Sequence, residues 1–179
     1  LNVGEWGLVQ LAVSIGGALG IYQHLGLVSA STREISSAKK DEDIFKIFIT
    51  SSVVRYFVTL PIAVGLFFGA GKISQNLYHT LDLILPLKIY AVALVFQGVQ
   101  GILNSVISGT KRFKHLFIYQ VIIAFVNILI FIPFVYFFKV PGYFYAFLTF
   151  NIISSVSLAV IAFKPLKGKI VMPTKKEFK

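Results

Sequence analysis

Residues Tyr22–Lys46, YQHLGLVSASTREISSAKKDEDIFK, interrupt a chain that is otherwise strongly apolar. The stretch holds eight of the 24 charged residues (17 Lys and Arg, seven Asp and Glu), and long apolar segments lie on both sides of it. A charged segment between two apolar runs of spanning length is typical of a loop between transmembrane helices. The stretch therefore predicts the exit of one spanning helix, an aqueous loop, and the start of the next helix.

The composition indicates a membrane protein. Of the 179 residues, 56% are hydrophobic and only 13% are charged, and the mean hydropathy is +0.82. Soluble domains average about a quarter charged residues, and a soluble fold of this length could not bury so much apolar surface. We predict an all-α, polytopic bundle of transmembrane helices.

Five apolar runs are long enough to span a membrane, since a transmembrane helix needs roughly 20 apolar residues. They occupy residues 6–29, 44–70, 83–108, 116–138 and 143–163. Residues 164–179 form a tail with six lysines, which we interpret as a basic cytoplasmic linker. Because the chain begins at a leucine and carries no signal peptide, we expect a further helix before Leu1 and a second bundle after the tail.

The basic residues predict the orientation. With five spans, the first loop, the third loop and the tail share one side, and 13 of the 17 Lys and Arg residues lie there. The opposite side has Lys72, Lys88 and Lys139. Since cytoplasmic loops carry the excess of Lys and Arg, we expect the basic loops in the cytoplasm. The net charge of +10 then indicates membrane lipids, rather than nucleic acid, as partners.

Arg55 is the most informative single residue. It lies 11 residues after Ile44, roughly 16 Å along a helix, and so near the middle of a hydrocarbon core about 30 Å thick. A central arginine costs about 2.5–3.5 kcal/mol on insertion scales and should face a cavity or a partner. Contact with an anionic substrate is one interpretation, because a guanidinium binds phosphate oxygens in a bidentate manner. Snorkelling toward the headgroups, or bonding to backbone carbonyls, is the alternative.

Other polar residues extend the candidate site. Ser51, Arg55 and Thr59 follow at i, i+4 and i+8, and His24 lies near the end of the first run. Such faces could line a hydrated cavity, but Gln, Asn and Ser also bond neighbouring helices. His24 could sense protons, because histidine titrates near neutrality, or it could simply pack at the interface. The polar residues at helical spacing on the third and fifth runs are Gln97, Gln100, Asn104, Ser108, Asn151 and Ser154.

Recognisable catalytic chemistry is missing from the sequence. It contains no phosphate-cradling Gly-rich loop, no HExxH, no nucleophile elbow and no cysteine. We therefore predict that the protein is not an enzyme, and the sequence suggests no cofactor and no metal site.

Two segments resemble the polysaccharide-biosynthesis flippase family of the multidrug/oligosaccharidyl-lipid/polysaccharide exporter superfamily. GEWGLVQLAVSIGGALGIYQHLGLVSASTREIS at Gly4–Ser36 is similar to the second helix of the family and its cytoplasmic exit. VQGILNSVISGTKRFKH at Val99–His115 is similar to the end of its fourth helix. The matching positions are Gly7, Gly26, Ala30, Arg33, Gly109, Arg112 and Phe113. The resemblance implies that the five spans are helices two to six of a transporter with twelve to fourteen.

The resemblance also implies a function. Members of the family move lipid-linked oligosaccharide, typically on undecaprenyl pyrophosphate, across a bacterial or archaeal cytoplasmic membrane without ATP hydrolysis, for export of surface glycans such as O-antigen or exopolysaccharide. Arg55 would then be a cation of the cavity, and Arg33 could serve at its cytoplasmic mouth. Further partners that the resemblance allows are a coupling ion, a polysaccharide polymerase and glycosyltransferases.

Two other functions stay open. A cation-coupled multidrug exporter of the same superfamily would favour acidic residues within the spans, whereas Glu5 and Asp82 lie at helix ends. A membrane-embedded glycan-processing enzyme would predict a large extramembrane loop or catalytic carboxylates, and the sequence has neither.

Overall fold

The computed structural model describes residues 1–21 and 26–166, and these form helices with no strand among them. In chain order the helices are α1 (Val3–Ile21), α2 (Leu27–Ser37), α3 (Asp41–Lys72), a π-helical turn (Ile73–Leu77), α4 (Ile84–Gly109) and α5 (Phe113–Phe163). Four of the described helices, namely α1, α3 with its π-helical turn, α4 and α5, are long and apolar enough to cross a membrane. The predicted all-α, polytopic fold class is confirmed.

Helix α5 consists of two arms. At 51 residues it would measure about 77 Å if straight, more than twice the thickness of the hydrocarbon core. Lys139 has non-helical backbone angles, φ 50° and ψ −125°, and a Cβ on Gly142 would overlap the backbone of Phe134. The chain therefore folds back tightly here. We call residues 113–138 arm α5a and residues 140–163 arm α5b; they coincide closely with the fourth and fifth predicted spans.

Residues 27–37 form helix α2, so the prediction of a loop is wrong for the middle of the stretch 22–46. Helix α2 begins after Gly26, whose φ of 72° is left-handed and favours glycine. Ser31 and Ile35 of α2 are buried, and Ile35 packs against Gly109 of α4. The predicted first span, 6–29, is thus divided between α1 and α2. Helix α2 is therefore a short helix that packs against the bundle through one narrow buried stripe, and its outer face is charged.

Helix α3 is longer than the predicted span 44–70. It begins at Asp41, and the acidic residues at 41–43 occupy its first turn, where negative charge interacts favourably with the helix dipole. At the other end the helix continues through the π-helical turn, and the Ser74 hydroxyl donates to the Thr80 carbonyl beyond it. The residues between the second and third predicted spans, 71–82, are therefore helical over their first half.

Helix α4 lies at the centre of the bundle, where it contacts α1, α2, α3 and α5. One apolar cluster on it includes Leu87, Tyr90 and Leu94 and packs against α1 and the start of α5b. A second cluster includes Leu103 and Ile107 and packs against α2 and the two ends of α5. Residues 97–101 lie between the two clusters, and this is where polar side chains collect inside the bundle.

Candidate functional site

Arg55 is buried where α3 meets α4. Only 1% of its surface is exposed. Its guanidinium group lies on Gly101 of α4: a Cβ built on Gly101 would be 2.6 Å from Nη1 and 3.1 Å from Cζ of Arg55. Since any side chain at position 101 would occupy the space of the guanidinium group, a glycine is required for this arrangement.

The charge of Arg55 is not neutralised. Its Nε and Nη1 atoms are buried and have no hydrogen-bond acceptor, and the same is true of the Thr59 hydroxyl one turn further along α3. Within the described residues, Arg55 forms no ion pair, because the carboxylates all lie toward the ends of the helices. A buried charge without a partner costs several kcal/mol. The bundle thus holds a buried cation that no carboxylate of the described residues compensates.

The predicted stripe on α3 faces the interior. Ser51, Arg55 and Thr59 are all buried, and the Ser31 hydroxyl of α2 donates to the Ser51 hydroxyl at 2.7 Å. Next to the stripe, the Tyr56 hydroxyl donates to the Val95 carbonyl of α4 at 2.9 Å. In this conformation, packed side chains rather than an open cavity surround the stripe.

Gln100 joins α4 to arm α5b. Its Nε2 donates to the backbone carbonyl and the side-chain oxygen of Asn151, at 3.0 and 3.1 Å, and to the Ser155 hydroxyl at 3.2 Å. The Ser155 hydroxyl in turn donates to the Asn151 carbonyl at 2.7 Å. These contacts match the alternative that the sequence left open, in which polar residues bond neighbouring helices.

Only some of the remaining predicted site residues lie near the contact between α3 and α4. Gln97 lies beside the Tyr90 hydroxyl, and Asn104 is half-buried on α4. Arg33 is exposed on α2, away from the contact between α3 and α4. His24 lies outside the described residues. The structure therefore brings Arg55 to the stretch of α4 that carries Gln97 and Gln100, but it does not bring Arg33 to that stretch.

The role of Gly101 is not apparent from the sequence. A glycine beside two glutamines on α4 indicates a close helix contact, but nothing in the sequence identifies Arg55 as the group that fills the space.

Arg112 has a structural role that the sequence did not suggest. Its Nη1 donates to the Ile161 carbonyl at 2.9 Å and its Nη2 to the Ala162 carbonyl at 2.8 Å. Burial lowers the pKa of Arg112, and nearby Asp41 partly offsets this shift. A cation at the C-terminus of a helix interacts favourably with its dipole. Arg112 thus fastens the α4–α5 turn to the end of arm α5b.

The described residues contain no group of three or more His, Cys, Asp or Glu side chains that could hold a metal ion.

Spanning helices with polar groups gathered inside the bundle define a polytopic helical membrane protein. Over residues 1–179 the chain matches the family described as Polysaccharide biosynthesis protein, and it belongs to this family. The resemblance seen in the sequence is therefore confirmed. Comparisons with curated proteins and with solved structures find no match.

Proposed function

We propose that the chain is part of a flippase that moves pyrophosphate-linked, lipid-anchored oligosaccharide from the inner to the outer leaflet of the cytoplasmic membrane. Family membership makes it a membrane protein of polysaccharide biosynthesis. The observation that carries the finer proposal is the buried guanidinium group of Arg55, whose Nε and Nη1 atoms have no hydrogen-bond acceptor. A guanidinium group can bind the oxygens of a pyrophosphate through two parallel N–H···O bonds, and such bonds are strong where water is excluded.

Arg55 can reach a substrate only if α3 and α4 separate near Gly101. In the packed conformation, the unpaired charge raises the free energy of the protein. A pyrophosphate that binds Arg55 in an open conformation favours that conformation by its difference in affinity for the two. The substrate itself would thus drive opening, and this step would need no ATP hydrolysis.

The polar residues near this contact are proposed to bind the glycan. Gln97, Gln100 and Asn104 lie along α4 on both sides of Gly101. Gln100 would have to exchange its bonds with Asn151 and Ser155 for bonds to sugar hydroxyls. This exchange is small in free energy, because a neutral hydrogen bond contributes only about 0.5–1.5 kcal/mol net. We assign Arg33 to the cytoplasmic mouth and retain His24 as a candidate.

The position of the carboxylates favours this proposal over a cation-coupled multidrug exporter. Among the described residues, Glu5 and Asp82 lie toward one end of the bundle, and Glu34 and the acids at 41–43 lie toward the other. A carboxylate that binds a coupling cation within the membrane would be expected deeper in the spans.

Deletion of the gene for the full-length protein tests the proposal. We expect lipid-linked oligosaccharide to accumulate with its glycan on the cytoplasmic side, and surface polysaccharide to disappear. Lectin binding to inside-out and right-side-out vesicles measures the leaflet that holds the glycan. If the lipid-linked oligosaccharide no longer forms at all, the protein acts in synthesis and the flippase proposal is wrong.

The orientation can be tested separately. The chain has no cysteine. Ser37 is exposed at the end of α2, and Gln75 is exposed in the π-helical turn. A single cysteine at Gln75 is expected to react with an impermeant maleimide in intact cells. One at Ser37 should react only after permeabilisation. Labelling of both from the same side would contradict the proposed topology.

A further inference from the structure

A groove of about 280 Å³ runs between the two arms of α5. Its walls come from consecutive turns of both arms, and several of the isoleucines are exposed: Ile122 is 57% accessible and Ile118 is 45% accessible. The apolar residues of the groove are Ile118, Ile122, Ile123, Val126, Ile153 and Ile161. The groove is thus an apolar channel on the surface of α5, separate from the contact between α3 and α4.

The length of the groove matches one leaflet of a bilayer. On arm α5a it extends over the 12 residues from His115 to Val126, a rise of about 16 Å. The hydrocarbon core of a membrane is about 30 Å thick, so the groove covers about half of it. A much longer isoprenoid chain would run past the end of the groove at Val126.

A basic rim surrounds the end of the groove at His115. Lys114 lies one turn before the lining residue Ile118 on arm α5a, Lys164 lies three residues after the lining residue Ile161, and Lys111 lies in the turn just before α5. The three lysines are exposed, and none forms an ion pair within the described residues. Arg112 is turned inward to the end of α5b, and the nearby carboxylate of Asp41 interacts with it.

We propose that this groove is a binding site for an anionic phospholipid of the cytoplasmic leaflet. One acyl chain lies between the arms, and the headgroup phosphate contacts Lys111, Lys114 and Lys164, with a ring N–H of His115 as a further donor. The charge of the rim selects anionic lipid, because juxtamembrane lysines are attracted to the anionic leaflet. The inference uses the proposed orientation of the chain but does not depend on flippase activity.

Quenching of tryptophan fluorescence by brominated lipids tests the site. The chain has one tryptophan, Trp6, which is replaced by phenylalanine together with any other tryptophan of the full-length protein. A reporter is placed at Ile122 (I122W), and a matched control at Val53 (V53W). Val53 is a 51% exposed position on α3, nine residues after Ile44, as Ile122 is nine residues after Phe113. Both variants are reconstituted in bilayers with brominated phosphatidylglycerol or brominated phosphatidylcholine.

We expect phosphatidylglycerol to quench the Ile122→Trp reporter several-fold more strongly than phosphatidylcholine does, with no such preference for Val53→Trp. Lys114→Gln combined with Lys164→Gln should remove the preference. Equal quenching by both lipids would overturn the proposal, as would a groove reporter that neither lipid reaches, because a protein segment would then cover the groove. Displacement of phosphatidylglycerol by a polyprenyl pyrophosphate would also overturn it. Ile153→Trp on the opposite wall repeats the test if Ile122→Trp does not fold.

Discussion

Arg55→Ala is expected to lower glycan export at least about 100-fold while the protein still inserts into the membrane. The substitution removes two charge-assisted hydrogen bonds to the pyrophosphate, each contributing about 1.5–3 kcal/mol, and about 1.4 kcal/mol corresponds to a factor of ten. Arg55→Lys should restore part of the export, because lysine keeps the charge but loses the bidentate geometry. Surface polysaccharide in the complemented deletion strain measures the effect.

Replacement of Arg55 by an apolar residue should raise the stability of the protein, although it lowers glycan export. Arg55→Met keeps a long apolar side chain and removes a buried charge whose Nε and Nη1 atoms have no acceptor, so the melting temperature of the purified protein should rise. Thr59→Val is the matched control, since it removes an unpartnered buried hydroxyl from the same face of α3. It should keep full export. Normal export by Arg55→Met would refute a role for the charge in transport.

Gly101→Ala is the second substitution with a large expected effect. The added Cβ would lie 2.6 Å from Nη1 of Arg55, so the guanidinium group or helix α3 must move. Overpacking of this kind costs about 1–3 kcal/mol, and a displaced guanidinium group should also lower export. The free energy of unfolding in detergent measures the cost in stability, and surface polysaccharide in the complemented strain measures export.

A double mutant tests whether contact with the guanidinium group of Arg55 causes the loss of stability in Gly101→Ala. In the Arg55→Ala background the new Cβ at position 101 no longer meets the guanidinium group, so Gly101→Ala should cost much less stability there. Gly65→Ala on α3 is the control, because its Cβ would have no neighbour within 4 Å; it should be neutral or slightly stabilising, since alanine is the better helix former. An equal cost of Gly101→Ala in both backgrounds would mean that Arg55 does not occupy this space.

The sequence predicted the parts of the fold that depend on hydrophobic length. Helices α3, α4 and α5 cover most of the second to fifth apolar runs, whereas residues of the first run belong to two helices, α1 and α2. Helix α2 was missed because it is only 11 residues long and most of its residues are polar or charged. Its burial depends on the contact between Ile35 and Gly109, which no local pattern predicts.

The candidate site was predictable only in part. The burial of Arg55 follows from its position within an apolar run, since a charge at that depth must turn inward. Its packing on Gly101 and the contacts of Arg112 with Ile161 and Ala162 join residues about 50 positions apart in the chain. Such contacts are set by how the helices pack, which the spacing of residues along one helix does not determine.

Transbilayer movement in proteoliposomes tests the role of Arg55 most directly. The full-length wild-type protein and its Arg55→Ala variant are reconstituted with a pyrophosphate-linked, lipid-anchored oligosaccharide and with an uncharged analogue of the same lipid and glycan. Lectin capture at the outer leaflet gives the initial rate. We predict that the wild type moves the pyrophosphate-linked lipid much faster than the analogue, and that Arg55→Ala loses this preference. Undiminished movement of the pyrophosphate-linked lipid by Arg55→Ala would contradict the proposed role of Arg55.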